Sequence, residues 1–293
     1  MLIRTLYSGL SRGTERLVFE GRLPESEWTR MRAPFQEGDF PYPVKYGYAA
    51  AGVVEAGPEA LVGRAVFALY PHQDFFTIPA EAVIPVPENV PPRRAVLAAN
   101  METALNALWD SQAHAGHKIV IIGAGLVGCL IAHLAARLPG ADVTLVDILP
   151  ERAEVARSLG VNFSLPDEAP RGAEIVFHTS ASEPGLRLAL GIAAFEGRII
   201  EVSWFGDKPV SLPLGGAFHS QRLQLISTQV GHVATPMRGR MTHRQRLEKA
   251  LHLLDDSRLD ALITEEVALD DLPDALPRLL APDALGIATA ICY

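Results

Sequence analysis

The chain has 293 residues, 48 % of them hydrophobic, and a formal net charge of −8. That length predicts a globular protein of two domains. The acidic balance argues against nucleic acid as a partner, because phosphate contacts need clustered Lys and Arg.

The one basic run, Arg238-Gly239-Arg240-Met241-Thr242-His243-Arg244-Gln245-Arg246, reads as a solvated loop and helix start. The two cysteines, Cys129 and Cys292, read as buried thiols in a reducing compartment. The apolar span from Ile119 to Ala136 holds three glycines and His133, so it breaks into strand, turn and helix rather than crossing a membrane. With no secretory leader read at the N-terminus, the expectation is a cytoplasmic protein with no membrane partner.

Residues 1–92 carry short β-type runs separated by turn residues: Leu2 to Tyr7, Gly52 to Glu55, Ala65 to Leu69 and Ala82 to Val86. They predict a small β-rich domain ending at Pro85, Pro87, Pro91 and Pro92. Arg93 to Ala113 is an Ala- and Leu-rich helical segment. Strands and helices then alternate, with strands over 119–122, 143–146, 174–177, 198–202 and 223–227, helices over 126–138 and from Pro150, and a helix over 244–254. The alternation predicts a parallel sheet with helices on both faces. The segment Ile287 to Cys292 reads as a last strand that returns to the first domain.

The most informative stretch is Lys118 to Gly128 with Asp147. A buried strand runs into Gly123-Ala124-Gly125-Leu126-Val127-Gly128, a helix follows, and an acid ends the next strand. Gly123 permits a tight turn, Gly125 lets the backbone approach a pyrophosphate, and Gly128 lets helix and strand pack closely. The N–H groups of Leu126 and Val127 lie at a helix N-terminus, where an anion is favoured. Asp147 accepts hydrogen bonds from an adenosine ribose and repels a 2′-phosphate, so NAD(H) is the expected cofactor. A methyltransferase binding S-adenosylmethionine also places an acid on a ribose. It would lack the β-rich N-terminal domain.

A β-rich domain, a linking helix, a nucleotide domain and a last strand, in this order, resemble the medium-chain dehydrogenase/reductase family of the alcohol dehydrogenase type. The segments that carry the resemblance are Tyr7 to Glu15, Gly47 to Gly52, Val83 to Pro87, Gly116 to Lys118 and the glycine motif. Ser8-Gly9-Leu10-Ser11-Arg12-Gly13-Thr14-Glu15, with Gly47-Tyr48, is most similar to the branch containing bacteriochlorophyllide dehydrogenases. The resemblance implies an α/β fold with a GroES-like β-rich catalytic domain plus a Rossmann doubly wound parallel sheet. The catalytic domain is expected over 1–92, short at its N-terminus and completed by about 262–293, with the Rossmann domain over 93–261. A homodimer and a small-molecule substrate are also implied.

The family's zinc ligands fall, by the same matching, on Ser11, Tyr48 and Ala99, none of them a good zinc donor. A zinc-independent mechanism is therefore expected. Thr14 matches the family's proton-relay hydroxyl. Tyr48 replaces the zinc-binding His, and its hydroxyl is suited to donate to a carbonyl oxygen or to accept an alcohol proton. A phenol acts as a base only with a depressed pKa, for which Lys45 is the candidate source of field. Ser11 is the third catalytic candidate. For the cofactor, Arg12 is placed to meet the pyrophosphate, Thr103 the nicotinamide side, and His178 and Ser203 the ends of two sheet strands. The leading expectation is an NAD(H)-dependent alcohol–carbonyl oxidoreductase acting on a conjugated or ring-attached substrate. A zinc-free enoyl or quinone reductase and a non-catalytic NAD(H)-binding protein are the alternatives.

Overall fold

The computed structural model describes residues 1–293, which form two compact units: Met1–Ala99 with Leu247–Tyr293, and Asn100–Arg246. The divisions fall at 99/100 and 246/247 rather than at 92/93 and 261/262. The reason is local packing. Arg94 is buried and its guanidinium grips Asp260 through Oδ1 at 2.8 Å and Oδ2 at 2.6 Å, and bonds the Leu254 carbonyl. Leu251, Leu254, Leu259 and Leu262 are fully buried, which ties residues 247–262 to the first unit.

In the first unit the strand Leu2–Leu10 is central. It pairs antiparallel with Ala50–Ala56, Phe75–Thr77 and Ala288–Cys292, so the last strand of the chain lies directly beside the first. Ala65–Ala68 and Ile84–Pro85 extend one side of the sheet, and Ile263–Ala268, parallel to Ala288–Cys292, closes the other. Ile3, Val54, Val66, Phe76, Ile78 and Val83 form one core; Leu10, Leu272, Leu279, Leu280 and Ile291 form a second. Between the first strand and Ala50–Ala56 runs a helix, Arg12–Phe19, which hydrophobic patterning did not reveal. Its apolar stripe is only Leu17 and Val18; its polar first turn carries Thr14 and Glu15.

The second unit is a six-stranded parallel sheet in the order Asn162–Ser164, Asp142–Val146, Lys118–Ile122, Ala173–His178, Ala193–Glu201, Gln224–Ser227. Numbered along the chain this is 3-2-1-4-5-6, the doubly wound order with a switch point between the first and fourth strands. Ile119 to Ile121, Leu145, Val146, Val176, Phe177, Ile199 and Ile200 are fully buried, as strands covered on both faces require. The helix after the glycine motif spans Leu126–Ala135 and tightens at residues 137 and 138 through i→i+3 bonds, ending short of its expected limit at 138.

The basic run is not uniformly solvated. Arg246, in the helix His243–His252, is 1 % exposed. Its guanidinium bonds Glu102 Oε1 at 2.9 Å, Asn106 Oδ1 at 2.6 Å, the His232 carbonyl at 3.0 Å and the Val230 carbonyl. A charge this deep must be paired, and Glu102 supplies the opposite charge. Cys129 is buried, its thiol pushed up to about 12 by desolvation, whereas Cys292 is partly exposed rather than buried. No helix is long and apolar enough to cross a membrane.

Candidate functional site

The glycine motif occupies the switch point of the parallel sheet. Gly123 has φ +109°, a backbone region glycine enters freely, and a Cβ there would lie 2.8 Å from Thr179 Oγ1 and 2.9 Å from the Ser180 nitrogen. A Cβ at Gly128 would stand 1.9 Å from the Gly123 carbonyl oxygen. Both glycines thus have reasons inside the protein. Gly125 has none. Its φ is −75°, ordinary for any residue, and nothing lies within 4 Å of a Cβ there. It caps the helix without a side-chain bond, leaving first-turn N–H groups, including those of Leu126 and Val127, for an outside acceptor. The open space over Gly125 fits the pyrophosphate of a dinucleotide.

Asp147 follows the strand Asp142–Val146. Its Oδ2 accepts from the Ala124 N–H at 2.6 Å and its Oδ1 from the Leu149 N–H at 3.0 Å. The carboxylate is therefore fixed in direction and locks the glycine turn, while each oxygen keeps a lone pair for a ribose hydroxyl.

His178 is placed otherwise than expected. It is the last residue of its strand, is fully buried, and offers no surface to an adenine or ribose. Its Nδ1 lies 2.8 Å from Glu201 Oε2 and its Nε2 2.8 Å from Ser180 Oγ. Ser203 is held in the same network, its Oγ accepting from the Ala181 N–H at 3.0 Å. A strand-end His signals polarity in a sequence, but the register of the sheet turns this one beneath the helix Glu183–Ile192, where a Cβ at Gly185 would lie 2.9 Å from its Nε2.

In the first unit the three catalytic candidates come together. The side chains of Ser11 and Thr14 stand beside the Tyr48 hydroxyl. Ser11 is the N-cap residue of the helix Arg12–Phe19, so strand end and first turn present both hydroxyls side by side. Burial and then the charge of Glu15 push Tyr48 up to about 12, against the opposing hydrogen bonds from Ser11 and Thr14. The direction is opposite to the depression expected from Lys45, because Lys45 Nζ bonds Glu37 Oε1 at 3.0 Å instead. Tyr46 meets Tyr48 edge-on, ring centroids 6.0 Å apart.

Two further residues belong to this cluster, and neither was singled out from the sequence. Glu15 is 7 % exposed; its Oε1 accepts the Ser11 N–H at 2.7 Å and its Oε2 faces His72 Nε2 at 2.9 Å. His72 Nδ1 lies 2.7 Å from Ser8 Oγ, itself 2.8 Å from the Tyr293 hydroxyl. The imidazole packs on the backbone beside Tyr48: a Cβ at Gly47 would come within 2.9 Å of its Cδ2. Glu15 sits inside a quoted motif, but a lone His72 in a turn carries no spacing signal.

The donor set does not fit a zinc ion. Ser11 and Tyr48 offer only neutral hydroxyls, the Ala99 side chain has no ligating atom, and no three His, Cys, Asp or Glu residues converge to hold a metal. Glu102, near the third position, is engaged by Arg246. The Arg12 guanidinium is directed to the carbonyls of Gly286 and Ala281 within its own unit. Thr103 lies partly buried in the helix Ala98–Ser111.

No protein-family profile matches the chain. Over 221 residues, 71 % of the chain, it is 32 % identical to an uncharacterized zinc-type alcohol dehydrogenase-like protein of Haemophilus influenzae. It is 23 % identical, over 60 % of its length, to the D-xylulose reductase of Saccharomyces cerevisiae. The matches span 60 % and 57 % of the lengths of these relatives. Among solved structures, galactitol-1-phosphate dehydrogenase from Escherichia coli shares the fold with a TM-score of 0.77 at 18 % identity, covering 100 % of this chain and 92 % of that one. A protein described as a short chain alcohol dehydrogenase from Escherichia coli CFT073, complexed with NADH, also gives 0.77, at 16 % identity over 100 % and 91 %. In its GroES-like β-rich unit, its Rossmann sheet and these relatives, the chain is similar to the alcohol dehydrogenase-like medium-chain dehydrogenases/reductases.

Proposed function

We propose that the protein is an NAD(H)-dependent, zinc-independent oxidoreductase that interconverts an alcohol and a carbonyl. The observation that carries the reading is the pairing of two features in one chain. Gly125 leaves open space at the helix N-terminus where the pyrophosphate of a dinucleotide would lie, and Tyr48, Ser11 and Thr14 form a hydroxyl cluster at the positions where zinc-type relatives hold metal and proton relay. Relatives named as dehydrogenases and reductases support the reaction class.

When bound, NADH supplies the hydride that adds to the carbonyl carbon. Tyr48, held neutral by its raised pKa, donates its proton to the oxygen, and Ser11 and Thr14 stabilise the phenolate that remains. A neutral phenol is a weaker electrophile than a metal ion, so a carbonyl conjugated to a ring, whose developing charge is spread, is the favoured small-molecule substrate. The carboxylate of Asp147 favours NAD(H) over NADP(H).

Fluorescence titration of the purified protein with NADH and NADPH, with zinc analysis of the same sample, tests this. The expected result is tighter NADH binding and zinc well below one per chain. Stoichiometric zinc overturns the metal-free chemistry, tighter NADPH binding overturns the role of Asp147, and binding of neither removes the oxidoreductase.

A further inference from the structure

His72 has hydrogen-bonding partners that suit both of its charge states. Nε2 faces a carboxylate, Glu15 Oε2 at 2.9 Å, and so keeps its proton. Nδ1 faces the Ser8 hydroxyl at 2.7 Å, and that hydroxyl contacts the Tyr293 hydroxyl at 2.8 Å. Hydroxyls donate or accept by rotating, so Nδ1 is satisfied with or without a proton. The ring is enclosed but not sealed, its side chain 12 % exposed against 8 % for Glu15. Histidine is also the side chain whose charge ordinarily changes near neutral pH.

The charges around it fall into a pattern. Glu15 comes from the helix Arg12–Phe19 and Tyr293 from beyond the last strand; Tyr46 and Tyr48 come from the segment leading into Ala50–Ala56. The Tyr46 carbonyl accepts the His72 N–H at 3.1 Å, and Asp74 acts on Tyr293 from the segment after His72. No Lys or Arg takes part in these contacts, and His72 is the one group among them able to turn positive. A phenolate at Tyr48 would stand beside the Glu15 carboxylate, two negative charges in a poorly solvated pocket.

We propose that His72 is the charge-compensating partner of Tyr48. It is a positioning residue that acts through Glu15 and takes up one proton at Nδ1 as Tyr48 gives its own to a carbonyl oxygen. The inference rests on the oxidoreductase reading above. The balance is simple. The carbonyl carbon gains a hydride and is reduced as the nicotinamide is oxidised, and the oxygen gains the Tyr48 proton. Solvent supplies one proton to His72 by way of Ser8 and Tyr293. Re-protonation of Tyr48 on product release returns the His72 proton to solvent.

Two measurements test it. In nitrogen-15 NMR, Nε2 of His72 should stay protonated at all pH values while Nδ1 titrates. A fixed negative charge in Tyr48→Glu should move that titration to higher pH than in Tyr48→Gln. Glu15→Gln should lower it. Equal titrations in the two Tyr48 variants, or loss of the Nε2 proton, overturn the coupling. In kinetics with NADH and acetophenone, His72→Gln, which keeps an amide donor toward Glu15, should remove one ionisation from the pH profile of kcat and lower kcat about tenfold, with NADH affinity unchanged. An unchanged profile overturns the proposal. Should His72→Gln fail to fold, Glu15→Gln is read in the same way. Absence of turnover by the wild type, with the NMR shift intact, counts instead against the oxidoreductase reading.

Discussion

Gly128 and Gly123 are pressed together: a side-chain carbon on Gly128 would lie 1.9 Å from the carbonyl oxygen of Gly123, inside any allowed contact. Gly125, between them, would place the same carbon in open space. The two positions therefore answer differently to the same substitution. Gly128→Ala must displace backbone and should cost about 3 kcal/mol or more, an overpacking penalty without a flexible neighbour to absorb it. Gly125→Ala should leave the melting temperature within a few degrees of wild type, since only a glycine N-cap is lost. It should weaken NADH binding at least tenfold. Thermal denaturation together with NADH fluorescence separates the two; equal NADH affinity in Gly125→Ala would argue that no ligand backbone approaches there.

Asp147 carries a second test. Both of its oxygens hold backbone N–H groups, from Ala124 at 2.6 Å and Leu149 at 3.0 Å. Asp147→Asn turns one acceptor into a donor and removes the charge. Charge-assisted bonds are worth roughly 1.5–3 kcal/mol, so NADH affinity should fall about tenfold or more. NADPH affinity should fall less, narrowing the preference between the two. Paired titrations of wild type and variant read the ratio directly.

How far these features were legible in the sequence differs between the two units. The parallel strands are continuous apolar runs buried on both faces, so Ile119–Ile122 and Asp142–Val146 stood out, and the glycine motif fixed the switch point. The helix Arg12–Phe19 did not stand out, because eight residues with two buried apolar side chains give no period to read. His72 and Glu15 meet across 57 positions of sequence through a pairing that only the folded sheet creates. Arg246 lay in a basic run, and nothing in such a run marks the one arginine that turns inward.

The hydroxyl cluster predicts a direction of chemistry. Tyr48 is pushed up to about 12 by burial first and by Glu15 second, so it remains a proton donor across the working range. Tyr48→Phe should lower kcat for carbonyl reduction by about 10² to 10⁴, the usual contribution of a positioned acid. NADH binding should be unchanged. Thr14→Val should give a smaller loss, because the Ser11 hydroxyl still stands beside that of Tyr48. Steady-state rates with acetophenone and NADH at pH 6 to 10 check both, and a wild-type profile with a Tyr48-dependent fall below pH 10 would contradict the raised pKa.

Alkaline stability follows from the same groups. Tyr48 and Tyr293 are each raised to about 12, and Tyr46 is raised as well, in every case by burial first. In the unfolded chain a tyrosine ionises near ~10. Between those values the unfolded state has lost protons that the folded state keeps, so stability falls as pH rises. The stabilisation is complete below about pH 10 and is lost as pH climbs through 12. Urea midpoints should hold steady from pH 7 to 9 and drop between pH 10 and 12. The double variant Tyr48→Phe with Tyr293→Phe should show a shallower drop.

Arg246 offers the sharpest stability test. Its guanidinium, 1 % exposed, is shared among Glu102, Asn106 and the carbonyls of Val230 and His232. Burial raises the pKa of Glu102 and the Arg246 charge opposes that shift, so the carboxylate depends on its partner to stay ionised. Removing one member of a buried pair typically costs about 3–5 kcal/mol, because the other is left charged and dry. Arg246→Met should reach that range in urea denaturation. Glu102→Gln on the Arg246→Met background should recover part of the loss, since it removes the stranded charge while keeping the side-chain volume. Additive losses in the double variant would mean that the two side chains do not act as a pair, and that Arg246 serves chiefly to pin the loop carbonyls of Val230 and His232.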